Sequence, residues 1–239
     1  MKSWAYKWQV VASVIFGTFM VIMDATVVNV ALPTLRNVFA TSGGGSIGQV
    51  QWIISGFVLA IGIVTPMAGL LADRFGIKRV YLLSLFGFTV ASALCGFAPN
   101  LFLLILFRIV QGLAGGSALP LGTALLFSAF PPEERGLAFG VFGIPLVVAP
   151  ALGPVLGGAL VEYADWRFIF FVNVPIGLLG VSIGWRLLRE SKREGRVPID
   201  YVGAVLAFVA FGGILSGLSN GAPQSDATSG GAGGDRRNW

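Results

Sequence analysis

Two charged side chains, Asp24 and Arg108, lie well inside apolar stretches of this sequence. A charge at the centre of a bilayer costs at least about 2.5–3.5 kcal/mol on insertion scales, so residues of this kind are rare and usually functional. The chain contains no histidine, which is the side chain that most often titrates near neutral pH. Proton handling inside the membrane would therefore fall to a carboxylate, which makes Asp24 the candidate proton site and Arg108 its modulator.

The positions of these residues along their stretches predict that they face one another. Asp24 lies about eight residues before the outer end of its stretch near Leu32, and Arg108 lies about eight residues after an outer start near Asn100. At about 1.5 Å per residue, each is roughly 12 Å below the outer surface. Two interpretations stay open: a proton or substrate site that lines a central cavity, or a static buried ion pair that joins two helices.

Helical spacing places each residue in a stripe of mostly small or polar side chains, which we expect to face protein or water. The stripes comprise Ser13, Gly17, Met20 and Asp24 on one stretch, and Arg108, Gln111, Gly112, Gly115 and Leu119 on the other.

The composition indicates that membrane-spanning helices position these residues. Hydrophobic residues make up 55% of the 239 residues and charged residues only 11%, against roughly 25% charged in soluble domains. Alternating strand patterns are absent, and lipid cannot satisfy open backbone. We therefore expect an all-α, polytopic helical bundle. Seven stretches approach the roughly 20 residues that a spanning helix needs. They are 9–32, 52–71, 80–97, 101–128, 137–160, 167–188 and 201–219.

The basic residues predict the orientation. With the amino terminus in the cytoplasm, eleven Lys and Arg residues fall in inside segments, four in outside segments and one in a span, which accounts for all 16. This is a positive-inside bias. The net charge of +5 is then mostly an orientation signal, and no nucleic-acid partner is expected. The expected partners are the lipid bilayer and a small-molecule substrate.

The composition also divides the chain into segments. We predict a six-helix lobe over residues 1–190, a basic cytoplasmic linker over 191–200, a seventh transmembrane helix over 201–219 and a disordered tail over 220–239. The linker pattern is typical of a segment that lies on an anionic membrane surface. The tail is polar and rich in glycine.

The fifth predicted span, with the sequence "GVFGIPLVVAPALGPVLGGAL", is rich in proline and glycine. Three prolines each remove a backbone donor and predict a bent helix, while the glycines allow another helix to approach closely. The residues are Pro145, Pro150, Gly153, Pro154, Gly157 and Gly158. We interpret this cluster as a hinge or sealing surface in a protein that moves.

These motifs together resemble the amino-terminal half of a major facilitator superfamily transporter, in particular the fourteen-span drug:proton antiporter group. "GLLADRFGIKRV" resembles the signature loop between the second and third spans, "LFRIVQGLAGG" the fourth-span motif and "APALGPVLGG" the antiporter motif of the fifth span. "MDATVVNVALP" and "DWRFIFFVNVPIG" are similar to the first-span motif and to the start of the sixth span. Ala149 stands where the antiporter motif usually begins with glycine, and Ile77 where the loop is often basic.

The resemblance implies a role for each motif. Asp24 and Arg108 would couple transport to protons, with Gln111 and Gly112 in the substrate cavity. The fifth-span motif Gly153, Pro154, Gly157 and Gly158 would form the interface with a carboxy-terminal half. The loop would be a conformational latch, in which Asp73 caps and pairs near helix ends and basic residues form a charge relay. Its residues are Gly69, Asp73, Arg74, Gly76, Lys78 and Arg79.

The resemblance further implies proton-coupled efflux of small amphipathic compounds or drugs, driven by the proton gradient without a cofactor. We expect a bacterial inner membrane, and neither an enzyme active site nor a metal site. Such transporters have a second six-helix lobe, so we expect a truncated chain, a fragment, or a half-transporter that pairs with a second chain. The alternative function is a non-transporting membrane fragment or interacting subunit. In a single lobe, Asp24, Arg108 and the fifth-span Gly/Pro face would be turned toward lipid.

Overall fold

A computed structural model of the chain describes residues 2–41 and 47–190. Within these residues the structure is helical and contains no strand, which confirms the all-α bundle. Six helical segments are long and apolar enough to cross a membrane. They are the first span Tyr6–Phe39, the second Gly48–Phe75, the third Ile77–Gly96, the fourth Leu101–Ala129, the fifth Pro132–Tyr163 and the sixth Phe168–Leu187. The predicted seventh helix, the linker and the tail lie outside the described residues.

Some spans consist of more than one helical element. The α-helices are Lys2–Thr41, Ile47–Val64, Ala68–Phe75, Ile77–Gly96, Leu101–Gly115, Ala118–Ala129, Arg135–Tyr163, Phe168–Phe171 and Asn173–Leu187. Two short 3-10 turns, Thr65–Met67 and Pro132–Glu134, precede the third and seventh of these helices. Asn100 begins the fourth span as an N-cap, because its side chain accepts a hydrogen bond from the Leu103 backbone N–H at 2.9 Å.

The first span ends later than predicted, and the fifth-span helix continues through its three prolines. The first helix continues through Pro33 to Thr41 instead of ending near Leu32, because Leu35 and Phe39 extend the buried face and Phe39 contacts the Trp166 ring at 5.5 Å. In the fifth span, the three prolines do not interrupt the helix, which runs unbroken from Arg135 to Tyr163. Neighbouring helices stabilise proline-containing segments of this kind in membranes.

The packing of the spans follows an internal pseudo-symmetry. The first span packs against the fifth, sixth and fourth spans, and the fourth span packs against the second, third and first. If the first, second and third spans trade places with the fourth, fifth and sixth, respectively, the same pairs of spans remain in contact. This is expected for a lobe built from two inverted three-helix repeats. The first and fourth spans are equivalent in this arrangement and pack against each other at the centre of the lobe.

Two apolar clusters form the core of the lobe. One includes Val14, Met20 and Phe57 toward the end that carries the amino terminus, and the other includes Met23 and Ile53 toward the opposite end. Asp24 and its polar neighbours lie between the two clusters. The folded helices thus enclose one polar layer within an otherwise apolar interior.

Candidate functional site

The predicted contact between Asp24 and Arg108 is present at the centre of the lobe. The Nη1 atom of Arg108 lies 2.6 Å from Oδ2 of Asp24. Arg108 is 1% exposed and Asp24 is fully buried, and they are the only fully buried charged side chains among the described residues. The contact connects the first span directly to the fourth.

Two amides complete the surroundings of the carboxylate. The second carboxylate oxygen of Asp24, Oδ1, accepts a hydrogen bond from Nδ2 of Asn173 at 2.7 Å and another from Nε2 of Gln111 at 3.1 Å. Three side chains from two spans, the fourth and the sixth, therefore donate to one carboxylate. Charge-assisted hydrogen bonds of this kind are short and strong, and they fix the position of the carboxylate.

Arg108 has further partners on its other sides. Its Nη1 atom donates to Oε1 of Gln111 at 2.7 Å, and its Nε atom donates to the carbonyl oxygen of Ile53 at 3.3 Å. The centre of the guanidinium lies 3.9 Å from the centroid of the Phe57 ring, within the range of a cation–π interaction. Protein groups thus replace the water that the buried cation lacks.

The interior position of this pair corrects one expectation from the sequence. Asp24 and Arg108 do not face lipid in the single lobe, because the second and sixth spans cover them from the sides. Ile53 and Phe57 of the second span contact the guanidinium, and Asn173 of the sixth span contacts the carboxylate. The lobe alone satisfies both charges.

Gln111 and Gly112, predicted for the substrate cavity, are also buried. Gln111 bridges the two charged groups through the hydrogen bonds described above. Gly112 lies where the second and fourth spans approach most closely, since a Cβ at this position would be 2.5 Å from the carbonyl oxygen of Phe57. Neither residue lies on an open wall in this structure, and their place in a substrate cavity stays a prediction.

Asn173 is the site residue that the sequence reasoning missed. The motif "DWRFIFFVNVPIG" contains this asparagine, but the sequence alone assigns its amide no role. Its Nδ2 atom also donates to Oγ of Ser92 at 3.1 Å, and the Ser92 hydroxyl donates to the carbonyl oxygen of Phe170 at 2.9 Å. An asparagine in an apolar span was the available signal, because such a residue needs polar partners.

The latch loop, residues 69–80, comprises the end of the helix Ala68–Phe75, a tight turn at Gly76 and the start of the helix Ile77–Gly96. Gly76 has a φ of 93°, which glycine adopts readily and other residues rarely adopt. Nε of Arg79 lies 3.3 Å from Oε2 of Glu190, and Nζ of Lys78 donates to the carbonyl oxygen of Trp185 at 3.0 Å. The basic residues of this loop therefore contact the end of the sixth span.

The other latch residues, Gly69, Asp73 and Arg74, lie in the helix that precedes the turn. Asp73 is exposed and forms no hydrogen bond or ion pair with the described residues, so the expected cap or pair is not present in this lobe. The guanidinium of Arg74 lies 5.5 Å from the centroid of the Phe75 ring. A Cβ at Gly69 would meet no atom within 4 Å, so no close backbone approach occurs there.

The fifth-span antiporter motif divides between two faces, which corrects the expected single open face. Gly153 and Gly157 are buried against the first span. A Cβ at Gly153 would collide with the Thr26 side chain, and one at Gly157 would lie 3.1 Å from the carbonyl oxygen of Val27. Pro154 is exposed, and a Cβ at Gly158 would meet nothing within 4 Å. Half of the motif thus packs within the lobe.

Comparison with known proteins identifies the class of this bundle. The sequence pattern of the Major Facilitator Superfamily matches residues 14–227. The chain belongs to this superfamily, and with six spans in its described residues it is a multi-pass membrane protein.

Its curated relatives include export and resistance proteins. The chain is 43% identical to the multidrug export protein EmrB of Haemophilus influenzae, in an alignment that covers 87% of this chain and 40% of the relative. It is 39% identical to the fatty acid resistance protein FarB of Neisseria gonorrhoeae, over 92% of this chain and 43% of that protein. The chain therefore spans about 40% of the length of the curated relatives it matches.

Solved structures of other transporters share the fold. The proton:xylose symporter XylE aligns with a TM-score of 0.70 at 16% identity, over 91% of this chain and 54% of that one. The human organic anion transporter MFSD10 aligns with a TM-score of 0.69 at 19% identity, over 84% and 53% of the two chains. These similarities support the architecture of one transporter lobe.

Proposed function

We propose that this chain forms the proton-binding lobe of a carrier that exports small amphipathic compounds in exchange for protons. The names of its relatives support this proposal, since they include multidrug export and fatty acid resistance proteins. The observation on which it rests is the buried ion pair of Asp24 and Arg108. A membrane helix rarely contains a charge without a functional reason, and a buried carboxylate is a suitable group to bind a proton.

Protonation of Asp24 would change the charge of the interior. In the ion pair, the carboxylate and the guanidinium compensate each other at 2.6 Å. A proton on Asp24 neutralises the carboxylate and leaves the charge of Arg108 with uncharged neighbours. These are Gln111, the Ile53 carbonyl and the Phe57 and Phe170 rings. An uncompensated buried charge is costly. Proton binding would thereby favour a rearrangement between the first and fourth spans.

The remaining motifs receive proposed roles in the same scheme. Gln111 and Gly112 would adjoin the substrate cavity when the carrier opens. The latch loop would make and break its charge contacts between conformations. The half of the fifth-span motif that does not pack within the lobe, Pro154 and Gly158, would contact a carboxy-terminal lobe or a second chain. We place the carrier in a bacterial inner membrane with its amino terminus in the cytoplasm, as the distribution of basic residues favours.

The experiment uses a fusion transporter in which this chain replaces the matching part of the Haemophilus influenzae relative. Everted membrane vesicles are incubated with a fluorescent cationic dye outside, and a proton gradient, acidic inside, is imposed. We expect the fusion transporter to move the dye against its gradient and the Asp24→Asn variant to fail at equal abundance. Arg108→Gln should also fail, whereas Gly136→Ala, which meets no neighbour in the lobe and lies outside every proposed motif, is the matched control and should transport normally. Equal transport by all four proteins would contradict the proposal.

A second candidate function is that of a subunit that interacts with another membrane protein without transporting. It is favoured by the large apolar side chains that the fifth span exposes, among them Ile144 (55% exposed), Val147 (73%) and Val155 (67%). This function predicts no proton-dependent flux in liposomes that contain only this chain, together with specific co-purification of a membrane partner. Flux from the chain alone would exclude it.

A further inference from the structure

The hydrogen bonds around Asp24 fit only its ionised form. All three side chains that contact the carboxylate do so through nitrogen atoms that donate, on Arg108, Gln111 and Asn173. A protonated carboxylic acid instead carries an O–H donor that needs an acceptor. If nothing moved, the new O–H on Oδ1 would point at N–H groups and remain unsatisfied in a buried site, which is costly.

The Asn173 amide has an acceptor atom that forms no hydrogen bond with the described residues. Its Oδ1 atom is buried and has no hydrogen-bond partner among the described residues, although a buried polar atom without a partner is unusual in a folded protein. Rotation of the amide about its last side-chain bond would exchange Oδ1 with Nδ2. The oxygen would then stand where a donor now lies 2.7 Å from Oδ1 of Asp24.

The neighbours of the two amides differ in whether they allow such a rotation. The Ser92 hydroxyl accepts from Nδ2 of Asn173 and donates to the carbonyl oxygen of Phe170. Because a hydroxyl can rotate, it can donate to Asn173 in place of the Phe170 carbonyl when the amide turns. Gln111 accepts from the guanidinium of Arg108 through Oε1 at 2.7 Å. Rotating the Gln111 amide would direct N–H groups at a cation that has no acceptor. Arg108 therefore fixes the orientation of the Gln111 amide, whereas the Asn173 amide can rotate to suit the protonation state of Asp24.

We infer that Asn173 is a positioning residue that adapts to the protonation state of Asp24: its amide donates to the carboxylate and, after rotation, accepts from the protonated acid. This inference rests on the proposed function, in which Asp24 binds the proton. When a proton adds to Oδ1, the Asp24 side chain becomes neutral, Arg108 keeps its charge and no other bond is formed or broken. Asn173 thereby supplies the acceptor that proton binding in this interior requires.

The elements around Asp24 contribute few other titratable groups. Among the described residues, Arg108 of the fourth span is the only charged side chain that faces Asp24. The sequence contains no Asp, Glu, Lys or Arg between residues 48–72, 80–107, 136–161 or 168–185. Among uncharged titratable groups, the Cys95 thiol lies 3.6 Å from Oε1 of Gln111, and the Tyr81 hydroxyl donates to the carbonyl oxygen of Ser13. Protonation at this level of the lobe is therefore assigned to Asp24.

The test is an infrared titration of the purified chain in lipid nanodiscs, compared with three variants. Asp24→Asn identifies the carbonyl band of protonated Asp24 by its loss. In the wild type we expect that band at the lower frequency of an acid that donates a hydrogen bond. In Asn173→Leu, which removes the acceptor at similar volume, the band should shift to the higher frequency of a free acid. Asn173→Thr, whose hydroxyl can donate or accept, should shift it back.

A measurement on the unmodified side chain covers the case in which the leucine variant does not fold. Carbon-13 labelling of asparagine should reveal a side-chain carbonyl band that moves with the same midpoint as the Asp24 band and that is absent from Asn173→Thr. An Asp24 band with unchanged frequency in Asn173→Leu, or a static asparagine band in the labelled wild type, overturns the inference while leaving Asp24 as the proton site. Absence of any Asp24 band from the wild type overturns both the inference and the proposed function.

Discussion

Two of the acid–base pairs in the lobe differ in their surroundings. Asp24 and Arg108 meet at 2.6 Å in the interior with almost no exposed surface, whereas Arg79 and Glu190 meet at 3.3 Å with 62% and 34% of their side chains exposed. The interior pair is held by amides, a backbone carbonyl and an aromatic ring, while water competes for the surface pair. A carboxylate–guanidinium contact is therefore costly to break in the interior of the lobe and readily exchanged for contacts with water at its surface.

Removing one partner of the interior pair should have the largest effect. Arg108→Leu leaves the Asp24 carboxylate buried without its counter-charge, and we expect a loss of about 3–5 kcal/mol in the free energy of unfolding. The double variant Asp24→Leu/Arg108→Leu should recover most of this loss, because no buried charge remains. Reversible unfolding in mixed micelles measures both values. A double variant as unstable as the single one would show that packing, and not charge, dominates at this site.

The close approach beside the interior pair gives a smaller effect. A Cβ at Gly112 would lie 2.5 Å from a backbone oxygen and 2.8 Å from the Cβ of Ala60, so Gly112→Ala should cost about 1–3 kcal/mol through overpacking. Gly158→Ala introduces the same methyl group into open space and should change stability by no more than about 0.5 kcal/mol. The same unfolding measurement applies. Equal values for the two variants would contradict the described contact between the second and fourth spans.

At the surface pair, the backbone should matter more than the charges. Gly76 has a φ of 93°, and a side chain there would meet Glu190. Gly76→Ala should therefore cost about 1–2 kcal/mol. Gly69→Ala, in the same loop but with open space around it, is the control and should be neutral within about 0.5 kcal/mol. A tolerated alanine at position 76 would contradict the turn as described.

Neutralising the surface pair itself should have the smallest effect. Glu190→Gln removes the partner of Arg79 in an exposed setting, and we expect a loss of no more than about 1 kcal/mol. The loss should shrink further at high salt because exposed charges are screened. Thermal unfolding of the wild type and the variant at low and high ionic strength measures both effects. A large loss that does not depend on salt would remove the distinction between the two pairs.

The sequence allowed the six described spans and the central contact to be predicted, because apolar length and charge inside an apolar stretch are strong physical signals. It did not reveal that the second and sixth spans enclose Asp24, since helical spacing indicates which residues share a face but not which helix covers that face. The continuation of the first helix past Pro33 was missed for a related reason: the buried face formed by Leu35 and Phe39 exists only in the folded lobe.

The other residues that sequence reasoning misplaced depend on tertiary contacts. Asn173 gains its importance only because the sixth span directs its amide at the carboxylate. The glycines of the fifth span appeared equivalent in sequence, yet Gly153 faces Thr26 and Gly158 faces open space. Small residues permit the close approach of another helix without specifying which helix it is. Their roles therefore become clear only from the packed structure.

The central claim is that Asp24 couples proton binding to transport, and coupling can be separated from substrate movement. In the fusion transporter, the measurement compares dye accumulation driven by a proton gradient with dye exchange across the membrane in the absence of any gradient. The account predicts that Asp24→Asn abolishes the driven accumulation and retains the exchange. Driven accumulation by Asp24→Asn at the wild-type rate and equal abundance would contradict it.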